Sequence, residues 1–92
     1  MKIRFSKTSL KFLQKVNKKR EEKIRLMLKK LVLSVQEGLI PFKELKIKKL
    51  DGNWKGYYRM RTDGIRIIYR IDKENEEILV YEIDFRGGAY KK

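Results

Sequence analysis

Arginine is the residue type through which this sequence can do chemistry. Arg59, Arg61 and Arg66 crowd either side of Thr62-Asp63-Gly64, and Arg86 follows near the end of the chain. The planar guanidinium fork makes paired hydrogen bonds to phosphate oxygens. Gathered on one side of a sheet, these groups repel one another unless an anion meets them, and a phosphodiester is a natural partner. The alternative is that each arginine lies over an exposed strand face or pairs with Asp63, Glu82 or Asp84. Aromatic residues are interleaved with the basic set: Trp54, Tyr57 and Tyr58 precede Arg59, and Tyr90 stands four residues after Arg86. Aromatic faces stack on unpaired bases beside a basic groove. For Trp54 and Tyr58, packing at the core or its rim is the better account. Tyr90, set between Gly87-Gly88-Ala89 and Lys91-Lys92, has little packing reason to be aromatic.

Composition narrows the chemistry further. The 92 residues contain no histidine and no cysteine. That excludes zinc fingers, thiol nucleophiles, Ser-His-Asp triads, haem ligation and His acid/base pairs. A disulfide framework is excluded as well, so nothing argues for an oxidising compartment. The formal charge is +13, and it is unevenly placed: residues 1–50 hold 16 basic and 4 acidic side chains, residues 51–92 hold 9 and 8. Five of the eight arginines lie in the second segment. The first is a lysine field suited to polyanions, with Lys46, Lys48 and Lys49 at its end and Lys55 just beyond.

Elements able to position these groups can be read from periodicity. Ile3 and Phe5 alternate with Lys2 and Arg4 as in a short strand. Ser6, Thr8 and Ser9 offer N-cap oxygens for a helix with Leu10, Leu13 and Val16 on its apolar stripe and Phe12 beside it. Asn17-Lys18-Lys19 marks a tight turn into a longer helix carrying Ile24, Met27, Leu28, Leu31, Val32 and Val35, with Gly38 as its stop. Pro41 lies in a linker that tucks Phe42 and Leu45 against the body. Thereafter the period is two. Tyr58 to Arg61, Ile65 to Ile71 and Ile78 to Phe85 read as three antiparallel strands, joined by Thr62-Asp63-Gly64 and by the polar run Asp72–Glu77. Ile65, Ile67, Tyr69 and Ile71 are expected on the helices, with Arg66 and Arg70 facing away. In the last strand, simple alternation puts Leu79, Tyr81, Ile83 and Phe85 on the core side and Ile78, Val80, Glu82 and Asp84 opposite. The expectation is one α+β domain over residues 1–92, with a single modest core burying roughly 60–70% of the unfolded surface. No stretch approaches the ~20 apolar residues of a membrane span, and the N-terminus lacks a signal-peptide core, so the cytoplasm is the expected compartment.

Three segments carry a family resemblance: Lys49-Leu50-Asp51-Gly52-Asn53-Trp54-Lys55-Gly56-Tyr57-Tyr58-Arg59-Met60-Arg61, Gly64-Ile65-Arg66-Ile67-Ile68-Tyr69-Arg70-Ile71, and Ile83-Asp84-Phe85-Arg86-Gly87-Gly88-Ala89-Tyr90-Lys91. In these, and in its order of strand, helical hairpin and meander, the chain resembles RelE-type toxins of the RelE/ParE superfamily. The resemblance implies a sheet packed on a helical hairpin and a ribosome-dependent endoribonuclease. Such a toxin cuts mRNA in the decoding site and is silenced by a cognate, RelB-like antitoxin. No metal, cofactor or membrane is implied. Carried onto this sequence, the family's catalytic positions fall on Arg59 and Arg61 before the turn, Arg66 after it, and Arg86 and Tyr90 at the end.

In this chemistry the 2′-OH attacks the adjacent phosphorus and the 5′-oxygen leaves, giving a 2′,3′-cyclic phosphate. Guanidiniums aimed at the phosphorane oxygens stabilise the charge that develops there. Some family members carry lysine, glutamate or histidine as a proton carrier; here the first strand offers only arginines, which hold their protons too tightly. Tyr90, Lys55, Glu82 or the ribosome itself is left for that role. Lys46, Lys48, Lys49 and the helix lysines fit rRNA phosphates. Two rival readings share the fold: a ParE-like poison of DNA gyrase, which needs no catalytic set, and a non-catalytic RNA-binding domain.

Overall fold

The computed structural model describes residues 1–85. Chain order is β1 (Lys2–Phe5), α1 (Lys7–Lys15), α2 (Lys18–Gln36), β2 (Lys48–Lys49), a 3-10 turn (Gly52–Trp54), β3 (Tyr58–Thr62), β4 (Ile65–Asp72) and β5 (Glu77–Phe85). The strands form one mixed sheet in the order β1-β5-β4-β3-β2, with β1 parallel to β5 and every other neighbour antiparallel. The α+β architecture expected from the sequence is the one observed. It gains one short edge strand, because Lys48 and Lys49 pair with Arg59 and Tyr58.

Both helices begin where polar caps allow. Ser6 Oγ accepts from the Ser9 N–H at 3.1 Å, and Asn17 Oδ1 accepts from the Arg20 N–H at 2.8 Å, each filling one of the donors a helix start leaves open. Helix α2 ends at Gly38, whose φ of 82° is left-handed. The Gly38 N–H bonds to Val35 O at 2.9 Å and the Leu39 N–H to Ser34 O at 3.0 Å, the paired closure of a Schellman cap.

Leu13 of α1 and Ile24, Leu28 and Leu31 of α2 pack on Met60, Ile65, Ile67, Tyr69, Ile78, Val80 and Ile83 of the sheet, with Leu45 and Ile47 closing one end. The stripe of α1 differs from expectation. Ser9 is fully buried and Leu10 is 41% exposed, because the Ser9 hydroxyl donates to Val80 O at 3.3 Å and turns that side of the helix to the sheet. The Tyr69 hydroxyl is buried, and burial, with Tyr58 stacked beside it, pushes its pKa above the ordinary tyrosine value. It is a neutral core group.

Between β3 and β4, Thr62 pairs with Ile65 around Asp63 (φ 48°) and Gly64 (φ 73°). Two left-handed residues match the twist of the strands they join. In the turn from β4 to β5, the Asn75 side-chain amide donates to Asp72 Oδ2 at 2.9 Å and its N–H to Oδ1 at 3.2 Å. These bonds, the side-chain one first, lower the Asp72 pKa.

Strand β5 overturns the simple alternation. Tyr69 pairs with Val80 and Ile68 with Glu82, so Tyr81 is an extra residue in a bulge. Before it the even positions face the helices, with Ile78 and Val80 at 0% and 1% exposure; after it the odd ones do, with Ile83 at 4%. Tyr81 is thereby set on the opposite face at 48% exposure, the local re-aiming that bulges produce. Phe85 keeps its expected side and packs on Phe12 with ring centroids 5.2 Å apart.

Candidate functional site

Cross-strand register assembles the site on the sheet face away from the helices. One row is Arg61, Arg66, Asp84; the next is Lys48, Arg59, Ile68, Glu82. Three arginines from two adjacent strands therefore share one face. Arg61 stands directly opposite Arg66, a like-charge pair that costs stability by itself. Relief comes from β5: Arg66 Nε lies 3.5 Å from Asp84 Oδ1 and its Nη2 lies 3.8 Å from Glu82 Oε2, with the Arg66 side chain only 16% exposed. Ile68, 2% exposed, is the buried floor of the row. Arg59 Nε is also covered, without a hydrogen-bond partner among the described residues.

Lys48, beside Arg59 in register, extends the positive edge. Lys46, left-handed at φ 54°, lines a depression of about 220 Å³ with Arg61, Asp63 and Gly64. Lys49 and Lys55 border another, of about 360 Å³, with Tyr57 and Tyr58. All four lysines are exposed, but only Lys48 shares a row with the arginines. Asp63 is engaged elsewhere, accepting from Lys23 Nζ at 3.1 Å. Arg86 and Tyr90 lie outside the described residues.

Aromatic residues line the same face, though not the set the sequence suggested. Trp54, Tyr57 and Tyr81 meet edge to face, with centroids 5.3, 5.3 and 5.8 Å apart. Tyr58 instead turns to the helix side, stacked on Tyr69 at 5.5 Å and near Phe42 at 6.3 Å. Tyr81 was hidden from sequence reasoning by the bulge. Asp84 and Glu82 were visible as partners for an arginine, and both take Arg66. The face can grip a phosphate with guanidiniums and offer rings to a base.

Residues 3–90 match the family described as ParE toxin of type II toxin-antitoxin system, parDE. The chain belongs to that family, and so to the toxins of type II toxin-antitoxin systems with the RelE/YoeB/ParE fold. Among similar solved structures, the archaeal RelE-RelB complex from Pyrococcus horikoshii OT3 superposes with a TM-score of 0.71 at 22% identity, covering 94% of each chain. The YoeB/ParE toxin from Agrobacterium tumefaciens gives 0.73 at 25% identity, over 92% of this chain and 98% of that one. The YoeB-YefM complex from Staphylococcus aureus gives 0.70 at 29% identity, over 90% and 93%. Among curated proteins no sequence matches this chain. No helix among the described residues is long and apolar enough to cross a membrane.

Proposed function

We propose that this chain is a single-domain, ribosome-dependent endoribonuclease that cuts mRNA and arrests translation in the cytoplasm, and that a RelB-like antitoxin neutralises it. The observation that carries this reading is the convergence of Arg59, Arg61 and Arg66 on one sheet face, with repulsion between two of them offset by Glu82 and Asp84. Arg66 and Arg86 hold the scissile phosphate, Arg59 and Arg61 stabilise the charge that builds on its nonbridging oxygens, and Tyr90 handles a proton or stacks on a base. Each well-placed donor contributes about 3–4 kcal/mol to such a transition state. The mRNA 2′-OH attacks phosphorus, the 5′-oxygen departs, and a 2′,3′-cyclic phosphate remains. The ribosome supplies alignment of nucleophile and leaving group. Lys46, Lys48, Lys49 and Lys55 meet rRNA or mRNA phosphates. Solved complexes of similar toxins with their antitoxins support the antitoxin partner.

The test is growth arrest and mapping of mRNA ends after induction. Arg66→Ala and Tyr90→Phe are each expected to lose cleavage by about a hundredfold or more; full toxicity in both variants overturns the reading. The name of the matching family keeps a second reading in play, a poison of DNA gyrase. Double-strand DNA breaks without new mRNA ends would establish it, and expression without either outcome would leave a non-catalytic RNA-binding domain.

A further inference from the structure

The outer face also holds a groove of about 300 Å³ whose lining does not include Arg66. Arg4 of β1, Leu79 of β5 and Arg70 of β4 form one register row along it, and Tyr57 and Tyr81 stand at its side. Arg4 reaches Glu77 at 3.5 Å, yet its side chain is 68% exposed; Arg70 is exposed as well. Tyr81 is on this face only because of the bulge, braced by Trp54 and Tyr57 and open to solvent over about half its surface.

An exposed aromatic wall beside two guanidiniums matches the two chemical parts of a nucleotide. An unpaired base has a face to stack on a ring, and its flanking phosphate has the oxygens a guanidinium fork takes. A duplex offers the phosphates but keeps its base faces stacked inside. We propose that this groove is a nucleotide subsite for single-stranded RNA, with one base against Tyr81 and Tyr57 and a neighbouring phosphate between Arg4 and Arg70. Arg66 and Arg70 are four positions apart on β4, about 13 Å at the rise of a strand. A strand cut at Arg66 therefore runs into the groove a few nucleotides away. The choice of RNA rests on the ribonuclease reading; the binding itself is measurable without cleavage.

Trp54 is the only tryptophan of the chain and lies 5.3 Å from Tyr81, so its fluorescence reports on the groove. The full-length protein is titrated with a short single-stranded oligoribonucleotide, 2′-O-methylated throughout so that no free hydroxyl can attack phosphorus. A saturable change in Trp54 fluorescence is expected. Tyr81→Ala, and separately the Arg4→Ala/Arg70→Ala pair, weaken binding about tenfold, the scale of one lost stack, while Tyr81→Phe retains it. A duplex of equal length competes poorly. Binding without a fluorescence change, unaltered affinity in Tyr81→Ala, or a duplex that competes equally overturns the subsite. Circular dichroism checks each variant for folding; if Tyr81→Ala does not fold, Arg70→Ala alone decides, and unchanged affinity there is the overturning result. Mapping of mRNA ends in cells, run in parallel, separates the two readings. Groove binding by a wild type that makes no new mRNA ends removes the ribonuclease and leaves the subsite, whereas mRNA cleavage that needs Arg66 but is unchanged in Tyr81→Ala does the reverse.

Discussion

Arg66 stands between a like charge on β3 and two carboxylates on β5, and this neighbourhood defines its resting state. At 3.5 and 3.8 Å the two ion pairs are longer than a charge-assisted hydrogen bond. They hold the guanidinium against Arg61 and are loose enough for a phosphodiester to displace. Asp84→Asn removes one competitor for the same guanidinium. The variant is expected to bind single-stranded oligonucleotides more tightly, with the slope of log K against log salt steeper by about 0.7 as one more phosphate is engaged; a titration across salt concentrations measures it.

The element that fixes this register is the hairpin turn. Asp63 and Gly64 are both left-handed, and only glycine takes that conformation without steric cost. Gly64→Ala, where nothing crowds an added Cβ within 4 Å, is expected to cost about 1–2 kcal/mol through backbone strain alone, read from the denaturant midpoint at constant m. This turn was legible in the sequence, as were a cap among Ser6, Thr8 and Ser9, the turn at Asn17-Lys18-Lys19, the Gly38 stop and the core parity of β4, because each is set by local sterics or a fixed period. The bulge at Tyr81 and the tilt of α1 were not. Both depend on contacts across the fold: the Ser6 N–H bonds to Val80 O at 3.0 Å, the Ser6 hydroxyl reaches Tyr81 O, and the Ser9 hydroxyl reaches Val80 O. Period-two alternation cannot register an inserted residue whose reason lies on another element. Nor could it find a two-residue strand such as β2, or Ile68 buried among arginines. Because Ser6 both caps α1 and meets the bulge, Ser6→Ala is expected to lose about 1–2 kcal/mol of stability and to alter Trp54 emission by loosening Tyr81. A calorimetric midpoint with a fluorescence spectrum tests both.

For the whole molecule, the +13 charge acts at longer range than any row of side chains. Residues 1–50 supply most of the excess, while the candidate arginines belong to β3 and β4. In the proposed function, docking to a polyanion and the grip on one phosphate therefore fall to different parts of the chain. If docking engages about six phosphates, association with ribosomes should weaken about a thousandfold between 50 and 200 mM salt. Co-sedimentation across that range measures the slope. Arg66→Ala should flatten it by about 0.7 at most, one phosphate's share, whereas replacing several lysines of α1 and α2 should flatten it several times as much.

Strand β5 lies between β4 and β1 and is the last element described in chain order. Its pairing with β1 joins Lys2 to Glu77, a contact between distant parts of the sequence that requires a long loop to close. During synthesis, neither the carboxylates that hold Arg66 nor the Tyr81 wall exists until β5 has left the exit tunnel. Until that last described strand has paired, the outer face lacks both, so the candidate site is completed only when the sheet itself closes.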